Sequence, residues 1–299
     1  MAMMTLRQMR YFEALSQTLH FGRAARRLNI SQPALSAQIA QMEELFGGPL
    51  FLRGPAGVQL SADGILVGAR VARVLAEVRE LESLASAGAG LLTGRLRLGM
   101  IASVAPYLLP RVLARLTRDH PSLDCGVRES VTDRLIDDLN AGDIDCAILA
   151  LPVEERGLET LPLFEDVFHL AVPEGEAGRF ADAVDPATLR GERMILMEEG
   201  HCLRDQALQI CRIADPGERS GFGATSLATI LRMVAGGLGA TLIPQMAVED
   251  ERGRGGLAIL PFAPPSPSRT IALAFRPSTA RRRDFEALAQ ILREERSGA

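Results

Sequence analysis

Two of the chain's four cysteines lie nine positions apart in the stretch GHCLRDQALQIC. Cys202 follows His201 in this stretch. Arg204 and Asp205 come soon after, and Cys211 is the last residue of the stretch. These residue types permit a metal site, a disulfide or a reactive thiolate. They are also compatible with two thiols that are simply buried, as free cysteines often are.

Metal binding and plain burial each explain only part of this pattern. Neither the Cys–Cys nor the Cys–His spacing matches a zinc site, and the other three histidines lie elsewhere in the sequence. We therefore predict no metal and no cofactor. Cys125 and Cys146 occur in LDCGV and IDCAILAL, which predict core strands, so we interpret these two as buried structural thiols.

The neighbours of Cys202 favour a reactive thiol. His201, Arg204 and Asp205 make its surroundings polar, and Gly200 precedes the expected start of a helix. A helix N-terminus and a nearby cation both stabilise a thiolate. Thiolate is the form that attacks a peroxide oxygen and becomes a sulfenic acid.

The spacing of the two cysteines limits how they can bond to each other. If the stretch is helical, nine positions give about 13.5 Å of rise and about 900° of rotation, which places Cys202 and Cys211 on opposite faces. A disulfide needs Cα atoms about 4.4–6.8 Å apart. A bond between these two cysteines therefore requires the helix to unwind, so that oxidation exchanges one packed arrangement for another.

The elements that must position this stretch alternate between strand and helix from Gly94 onward. GRLRLGM, LDCGVRES and IDCAILAL predict strands, and APYLLPRVLARLTRDHP and TDRLIDDLNAG predict the helices between them. This alternation predicts a parallel sheet with helices on both faces. A second set of strands and helices surrounds the cysteine stretch, and ARRRDFEALAQILREE predicts a final helix.

The N-terminal region predicts a helix-turn-helix followed by a two-stranded wing. Ser31 suits a helix cap, Pro33 suits the first turn, Leu45 is expected to face inward, and Gly47 ends the helix. The second helix would enter the major groove of DNA. The residues we expect at the DNA are small or polar side chains of that helix and one wing arginine: Ser31, Gln32, Pro33, Ala34, Ser36, Gln38 and Arg53.

The distribution of charge supports a nucleic-acid module at this end. Residues 1–60 hold six arginines and three acidic residues, a net charge of +3, so the other 239 residues carry −7 of the total of −4. A basic N-terminal region on an acidic body is typical of a DNA-binding module. The first residues contain no signal-peptide pattern, and no apolar run is long enough to span a membrane, so we expect a cytoplasmic protein in which thiols stay reduced.

A long helix is predicted from Asp63 to about Ala87. Its apolar residues repeat at spacings of four and three, as in a coiled coil: Val67, Val71, Val74, Val78, Leu81 and Ala85. This pattern predicts a dimer through the helix, unless the same face packs on its own domain. We therefore divide the chain into a DNA-binding domain (1–62), a linker helix and hinge (63–92) and a regulatory domain (93–299).

The run FGRAARRLNISQPALSAQIAQMEELFGGPLFLR, followed by LSADG, resembles the winged helix-turn-helix of LysR-type transcriptional regulators. The resemblance implies an N-terminal all-α winged helix-turn-helix with a long linker helix, and a C-terminal α/β domain of two lobes like a periplasmic binding protein. Lobe I would span about 93–169 and 269–299, and lobe II about 170–268. It also implies a homodimer or homotetramer on double-stranded promoter DNA, contact with RNA polymerase, and no membrane association or enzymatic activity.

The segment EEGHCLRDQALQIC resembles the redox segment of the peroxide-sensing members of that family, and APYLLP, IDCAILAL, ATSL and RTIALAFRP extend the likeness. The resemblance implies that Cys202 reacts with hydrogen peroxide, that Cys211 resolves it into a disulfide, and that the protein controls antioxidant genes. The implied peroxide-pocket residues are Ser103, Thr132, His201, Arg204, Asp205 and Arg269, with Arg269 stabilising the thiolate. The chain departs from the family pattern at Gly221 and Gly223, where polar residues are usual.

Two alternative functions remain compatible with the sequence. A LysR-type regulator can respond to a small organic effector bound between its lobes, in which case the cysteines are incidental. A thiol peroxidase would use the same cysteine chemistry, but it leaves the helix-turn-helix without a role.

Overall fold

The computed structural model describes residues 4–54, 57–86, 90–153, 157–211 and 223–297. The chain divides into two compact units. The first comprises Met1–Ser86 with Asn140–Asp143, and the second comprises Ala87–Leu139 with Ile144–Ala299. Within the described residues, no helix is both long enough and apolar enough to cross a membrane.

The first unit is a winged helix-turn-helix followed by a long helix. Its elements are α1 (Leu6–Thr18), α2 (Phe21–Arg27), α3 (Gln32–Phe46), β1 (Phe51–Gly54), β2 (Gly57–Leu60) and α4 (Ala62–Ser86). The two strands pair antiparallel and form the predicted wing. The fully buried side chains Phe12, Leu35 and Ile39 lie in the core of this unit.

The predicted signals at the ends of α3 are confirmed. The Ser31 hydroxyl accepts a hydrogen bond from the Ala34 N–H at 3.3 Å. Pro33 lies in the first turn, and Gly47 ends the helix in the left-handed conformation with φ of 73°. The prediction that Leu45 faces inward is wrong, since this residue is 41% exposed and the last turn of α3 extends past the core.

The apolar stripe of α4 has two parts. Val71 is buried in the core of its own unit, together with Leu75, and Val67 packs against that core. Val74 and Leu81 are 43% and 66% exposed. The heptad pattern therefore combines a face that packs locally with a face that nothing in this unit covers.

The second unit contains the remaining elements. Its helices are α5 (Ala105–Asp119), α6 (Thr132–Ala141), α7 (Cys202–Ile210), α8 (Leu227–Ala235), α9 (Gln245–Arg252) and α10 (Arg282–Ser297). Its strands are β3 (Gly94–Ile101), β4 (Leu123–Ser130), β5 (Cys146–Ala150), β6 (Glu159–Pro173), β7 (Leu196–Met197), β8 (Gly223–Ala224), β9 (Thr241–Pro244), β10 (Leu257–Pro261) and β11 (Ser268–Phe275).

Strand β6 joins two lobes. The strand order is β10-β6-β11-β5-β3-β4, with β9 also paired to β6. Residues 159–167 of β6 run beside β11 in lobe I, and residues 168–173 pair with β9 and β10 in lobe II. The sheet is mixed rather than parallel throughout. Strands β3, β4 and β5 are parallel, whereas β11 returns from lobe II and pairs antiparallel with both β5 and β6.

Each lobe has its own hydrophobic core. The lobe I core includes Leu98, Ile148 and Phe285, and the lobe II core includes Phe168, Ile195 and Ile230. Of the two cysteines interpreted as structural, Cys146 is fully buried in the lobe I core. Cys125 is only half-buried, contrary to the prediction, because β4 is the last strand in the sheet order.

Candidate redox site and DNA-binding helix

Helix α7 carries the two cysteines of interest at its two ends. Gly200, with φ of +86°, makes the turn that precedes the helix, and His201 is the N-cap. Cys202 is the first helical residue and Cys211 is the C-cap. The helix is nine residues long, as the sequence predicts, so its ends are held apart while it remains folded.

The two thiols lie in different surroundings. Cys202 is half-buried and packs against the lobe I core. Cys211 is fully buried within the lobe II core, and this burial raises the pKa of its thiol to about 12. All four cysteines are free thiols in this structure.

Cys202 opens onto a small pocket between polar side chains. The pocket volume is about 180 Å³, a figure that includes open solvent, and in this structure it has no room for a water-sized molecule. Ser103, Thr132 and His201 line it together with Cys202, and the other lining residues are Ile101, Ala102, Ser130, Val131, Met197 and Leu203. The structure thus places three of the six implied pocket residues beside Cys202.

The Thr132 hydroxyl faces the sulfur. Its Oγ1 is buried and makes no hydrogen bond of standard geometry. The hydroxyl nevertheless lies close enough to the Cys202 thiol to lower the pKa of that thiol.

Arg269 holds the cation of the site. Its Nη1 donates to the Ser103 hydroxyl at 2.8 Å, and its Nε and Nη2 donate to Asp166 Oδ2 at 3.1 and 3.0 Å. The exposed fractions are 3% for Arg269, 3% for Ser103 and 0% for Asp166. Arg269 is therefore a buried, fixed charge that reaches the pocket through Ser103.

The surroundings of Cys202 shift the pKa of its thiol in opposite directions. Burial raises the pKa of Cys202 and is the largest influence. Arg269, Thr132 and the backbone N–H of Leu203 lower that pKa, whereas Asp205 raises it. As expected, a cation and the start of a helix both favour the thiolate. Desolvation has the larger effect, so the resting thiol is held in its protonated form.

His201, Arg204 and Asp205 occupy different positions around the thiol. Burial lowers the pKa of His201, which favours its neutral form. Arg204 donates from Nη1 to the Met197 carbonyl at 3.1 Å, and neither Arg204 nor Asp205 lines the pocket. Of the two departures from the family pattern, Gly221 lies outside the described residues. Gly223 begins β8, where a Cβ would meet Glu198 at 3.4 Å.

No group of three or more histidine, cysteine, aspartate or glutamate side chains suited to a metal ion occurs among the described residues.

The sequence patterns missed one residue of the site, Asp166. Asp166 lies 103 positions before Arg269, and only the pairing of β6 with β11 brings the two together. No local pattern around Asp166 indicates this contact.

The side chains expected at DNA lie at the N-cap and in the first two turns of α3, and in the wing. Ser31, Gln32, Pro33 and Ala34 are exposed. Ser36 and Gln38, the remaining α3 residues of the set, are half-exposed. Short polar side chains at the start of a recognition helix can reach base edges in the major groove.

Arg53 connects the wing to the recognition helix. Its guanidinium lies 4.3 Å from the centroid of the Phe21 ring and donates from Nη2 to the Ser36 hydroxyl at 3.2 Å. The cation is thus positioned beside α3.

Two family descriptions cover nearly the whole chain. Residues 6–65 match "Bacterial regulatory helix-turn-helix protein, lysR family", and residues 89–297 match "LysR substrate binding domain". These matches define a bacterial regulatory protein with a DNA-binding helix-turn-helix. The chain belongs to the LysR family of these regulators.

Similar proteins within the family include a curated relative from Pectobacterium carotovorum, named "Hydrogen peroxide-inducible genes activator". It is 39% identical over 99% of this chain and 98% of its own length. Full-length OxyR of Pseudomonas aeruginosa, solved as a cysteine-to-aspartate variant, has a TM-score of 0.81 and 35% identity over 98% of this chain and 96% of its own.

A second solved structure is a cysteine-to-serine variant of Corynebacterium glutamicum OxyR with hydrogen peroxide bound. It has a TM-score of 0.65 and 32% identity, and the match covers 100% of this chain and 96% of that one. The likeness to these structures therefore extends over both units and is not limited to the DNA-binding end.

Proposed function

We propose that this chain is a sequence-specific DNA-binding transcription regulator that senses hydrogen peroxide through a Cys202–Cys211 disulfide and controls antioxidant genes. The observation that carries the proposal is the position of Cys202 at a pocket lined by the Ser103 and Thr132 hydroxyls, with Arg269 behind Ser103. The names of the full-length relatives support the same function.

The first step is oxidation of Cys202. The thiolate sulfur attacks one oxygen of hydrogen peroxide, the O–O bond breaks, and the other oxygen leaves as hydroxide and is protonated to water. Sulfur loses two electrons and peroxide gains them. The lining hydroxyls can donate hydrogen bonds to peroxide, and Arg269 stabilises the negative charge on sulfur.

The second step forms the disulfide. The Cys211 sulfur, as a thiolate, attacks the sulfenic sulfur of Cys202, the S–S bond forms, and the S–O bond breaks to release hydroxide, which is protonated to water. Because the two residues lie at opposite ends of α7, the bond cannot form while this helix is intact. Oxidation therefore unwinds α7 and draws at least one thiol away from the core it packs against.

DNA binding uses two copies of the chain. Val74 and Leu81, on the heptad stripe of α4, are 43% and 66% exposed, and Leu66 beside the stripe is 68% exposed, so this side of the helix can pack against a partner helix. A homodimer through α4 presents two recognition helices to one pseudo-palindromic promoter site. We propose that two such dimers form a tetramer that acts in the cytoplasm with RNA polymerase and has no enzymatic role.

Peptide mass spectrometry after stoichiometric peroxide tests the thiol chemistry. We expect a cross-link between residues 202 and 211 in the native chain, no response in Cys202→Ser, and a trapped sulfenic acid on Cys202 in Cys211→Ser. Cys125→Ser is the matched control and should still form the cross-link. Absence of the cross-link in the native chain would contradict peroxide sensing.

Operator footprinting with reduced and oxidised protein tests the regulatory function. A footprint that changes on oxidation of the native chain, and does not change in Cys202→Ser, links the disulfide to DNA. A footprint that responds to a small organic compound in all cysteine variants would favour the effector-binding alternative.

A further inference from the structure

Asp166 is a buried carboxylate of the site that takes no part in the two chemical steps proposed above. It lies on β6 directly opposite Arg269 on β11, where paired residues of antiparallel strands project side chains to the same face. Both residues are almost completely inaccessible to solvent. Buried opposite charges of this kind interact strongly, because little water screens them.

Every oxygen of this carboxylate has a partner. Oδ2 accepts from Nε and Nη2 of Arg269, and Oδ1 accepts from the backbone N–H of Met246 at 3.1 Å. Met246 lies in the first turn of α9, where a negative charge is favourable. Asp166 is thus fixed at both oxygens and in turn fixes the plane of the guanidinium.

The guanidinium that Asp166 holds is the cation next to Cys202. With two of its nitrogens on Asp166, Arg269 points its Nη1 at the Ser103 hydroxyl on the pocket wall. Asp166 Oδ2 lies 3.0 Å from Arg269 Nη2, so we expect this anion to cancel part of the attraction that the cation exerts on the sulfur.

We propose that Asp166 is a positioning residue that aims Arg269 at the Cys202 pocket and, by offsetting part of its charge, sets how much thiolate is available to react. This inference rests on the proposed function for its biological meaning. The physical claim concerns only the thiol and is measurable without peroxide. The other groups that act on the Cys202 thiol are Thr132, the Leu203 backbone N–H and Asp205, and the titratable side chain of His201 lies beside it in the pocket.

The experiment is the pH dependence of iodoacetamide alkylation at Cys202, read by peptide mass spectrometry in the full-length reduced chain. Asp166→Asn keeps the shape of the side chain and removes its charge. We expect the pH midpoint of alkylation to fall and the rate at pH 7 to rise on the order of tenfold, because the Arg269 charge is then unopposed. Glu165→Gln is the control, since Glu165 is the exposed neighbour whose carboxylate bonds Ser268 at 3.1 Å, and its midpoint should not move.

A loosened structure gives a different result from a change in charge. Damaged packing would also lower the midpoint at Cys202, because burial raises the pKa of that thiol, but it would expose the buried Cys211 as well. Faster alkylation of Cys211 in Asp166→Asn would therefore overturn the proposal, as would an unchanged profile at Cys202. If Asp166→Asn does not fold, Asp166→Leu combined with Arg269→Met removes both charges, a replacement that buried ion pairs commonly tolerate.

The paired variant carries its own prediction. Because Asp166 offsets only part of the Arg269 charge at the sulfur, removing both should raise the alkylation midpoint above that of the unmodified chain, but by less than Arg269→Met alone does. Equal midpoints in the paired variant and in Arg269→Met would show that Asp166 does not act on the thiol and would overturn the proposal. Disulfide formation with peroxide is scored separately, so its absence contradicts the proposed function while the alkylation midpoint still decides the role of Asp166.

Discussion

The two ends of helix α7 each carry a cysteine thiol, but the two thiols differ in burial and in the groups around them. Cys202 is half-buried beside two hydroxyls and a cation, and its thiol pKa is raised only as the net result of opposing influences. Cys211 is enclosed in the lobe II core, and desolvation alone raises its pKa to about 12. One helix therefore carries a half-buried thiol beside a cation at its start, and a thiol that is enclosed and protonated at its end.

This difference indicates an order of events. A thiol that is enclosed and protonated cannot attack first, so Cys211 reacts only after the helix has opened. Each cysteine packs against a different lobe core, and a disulfide between them cannot keep both packings. The helix is thus the element with two alternative states, and the cysteines at its ends are the groups that select between them.

The largest expected effect is a contrast in alkylation. In the native reduced chain at pH 7.5, iodoacetamide should modify Cys202 faster than Cys211 by at least about a hundredfold, because Cys211 lacks both solvent access and thiolate. Peptide-resolved mass spectrometry measures both rates in one sample. In urea the two rates should become similar, and similar rates in the native chain would contradict the contrast between the two ends.

The second effect is a dependence of oxidation on pH. The pKa of Cys202 is raised above its ordinary value of 9.0, so between pH 6.5 and 8.5 the protonated thiol predominates and the thiolate fraction grows with pH. In Cys211→Ser, the initial rate of sulfenic acid formation should rise about tenfold for each pH unit. A rate that is flat over this range would show that Cys202 is already ionised at pH 6.5. In Cys202→Ser, Cys211 should stay reduced at every pH tested.

Much of the arrangement at α7 could be predicted because its signals are local. Gly200 marks the start of α7, and the Ser31 cap and the Gly47 end of α3 are equally local. Such signals depend on φ preferences and hydrogen bonds between near neighbours. They do not depend on which distant strand lies alongside.

The contact between Asp166 and Arg269 could not be predicted in this way. Pro162 interrupts the strand pattern that precedes Asp166, and a β-bulge shifts the register between Ile271 and Ala272, so counting residues does not show which ones pair. The sequence also could not predict which residues of the α4 heptad pattern would be buried within the unit, for a related reason. A heptad pattern shows that a face is apolar, but not that Val71 packs on its own unit while Leu81 is exposed.

The smallest expected effect tests whether α7 must unwind. Gln209 is exposed on α7, and glycine in a helix costs up to about 1 kcal/mol relative to alanine. If closing the disulfide breaks the helix, Gln209→Gly should favour the oxidised form up to about fivefold over Gln209→Ala. That factor corresponds to a reduction midpoint potential that is lower (more negative) by roughly 20 mV in glutathione buffers. The same glycine and alanine pair at Gln290, an exposed residue of α10, is the matched control and should leave the midpoint unchanged. Equal midpoints for the two Gln209 variants would mean that the bond forms without unwinding this end of the helix, and the two thiols would then have to meet by a movement of the lobes instead.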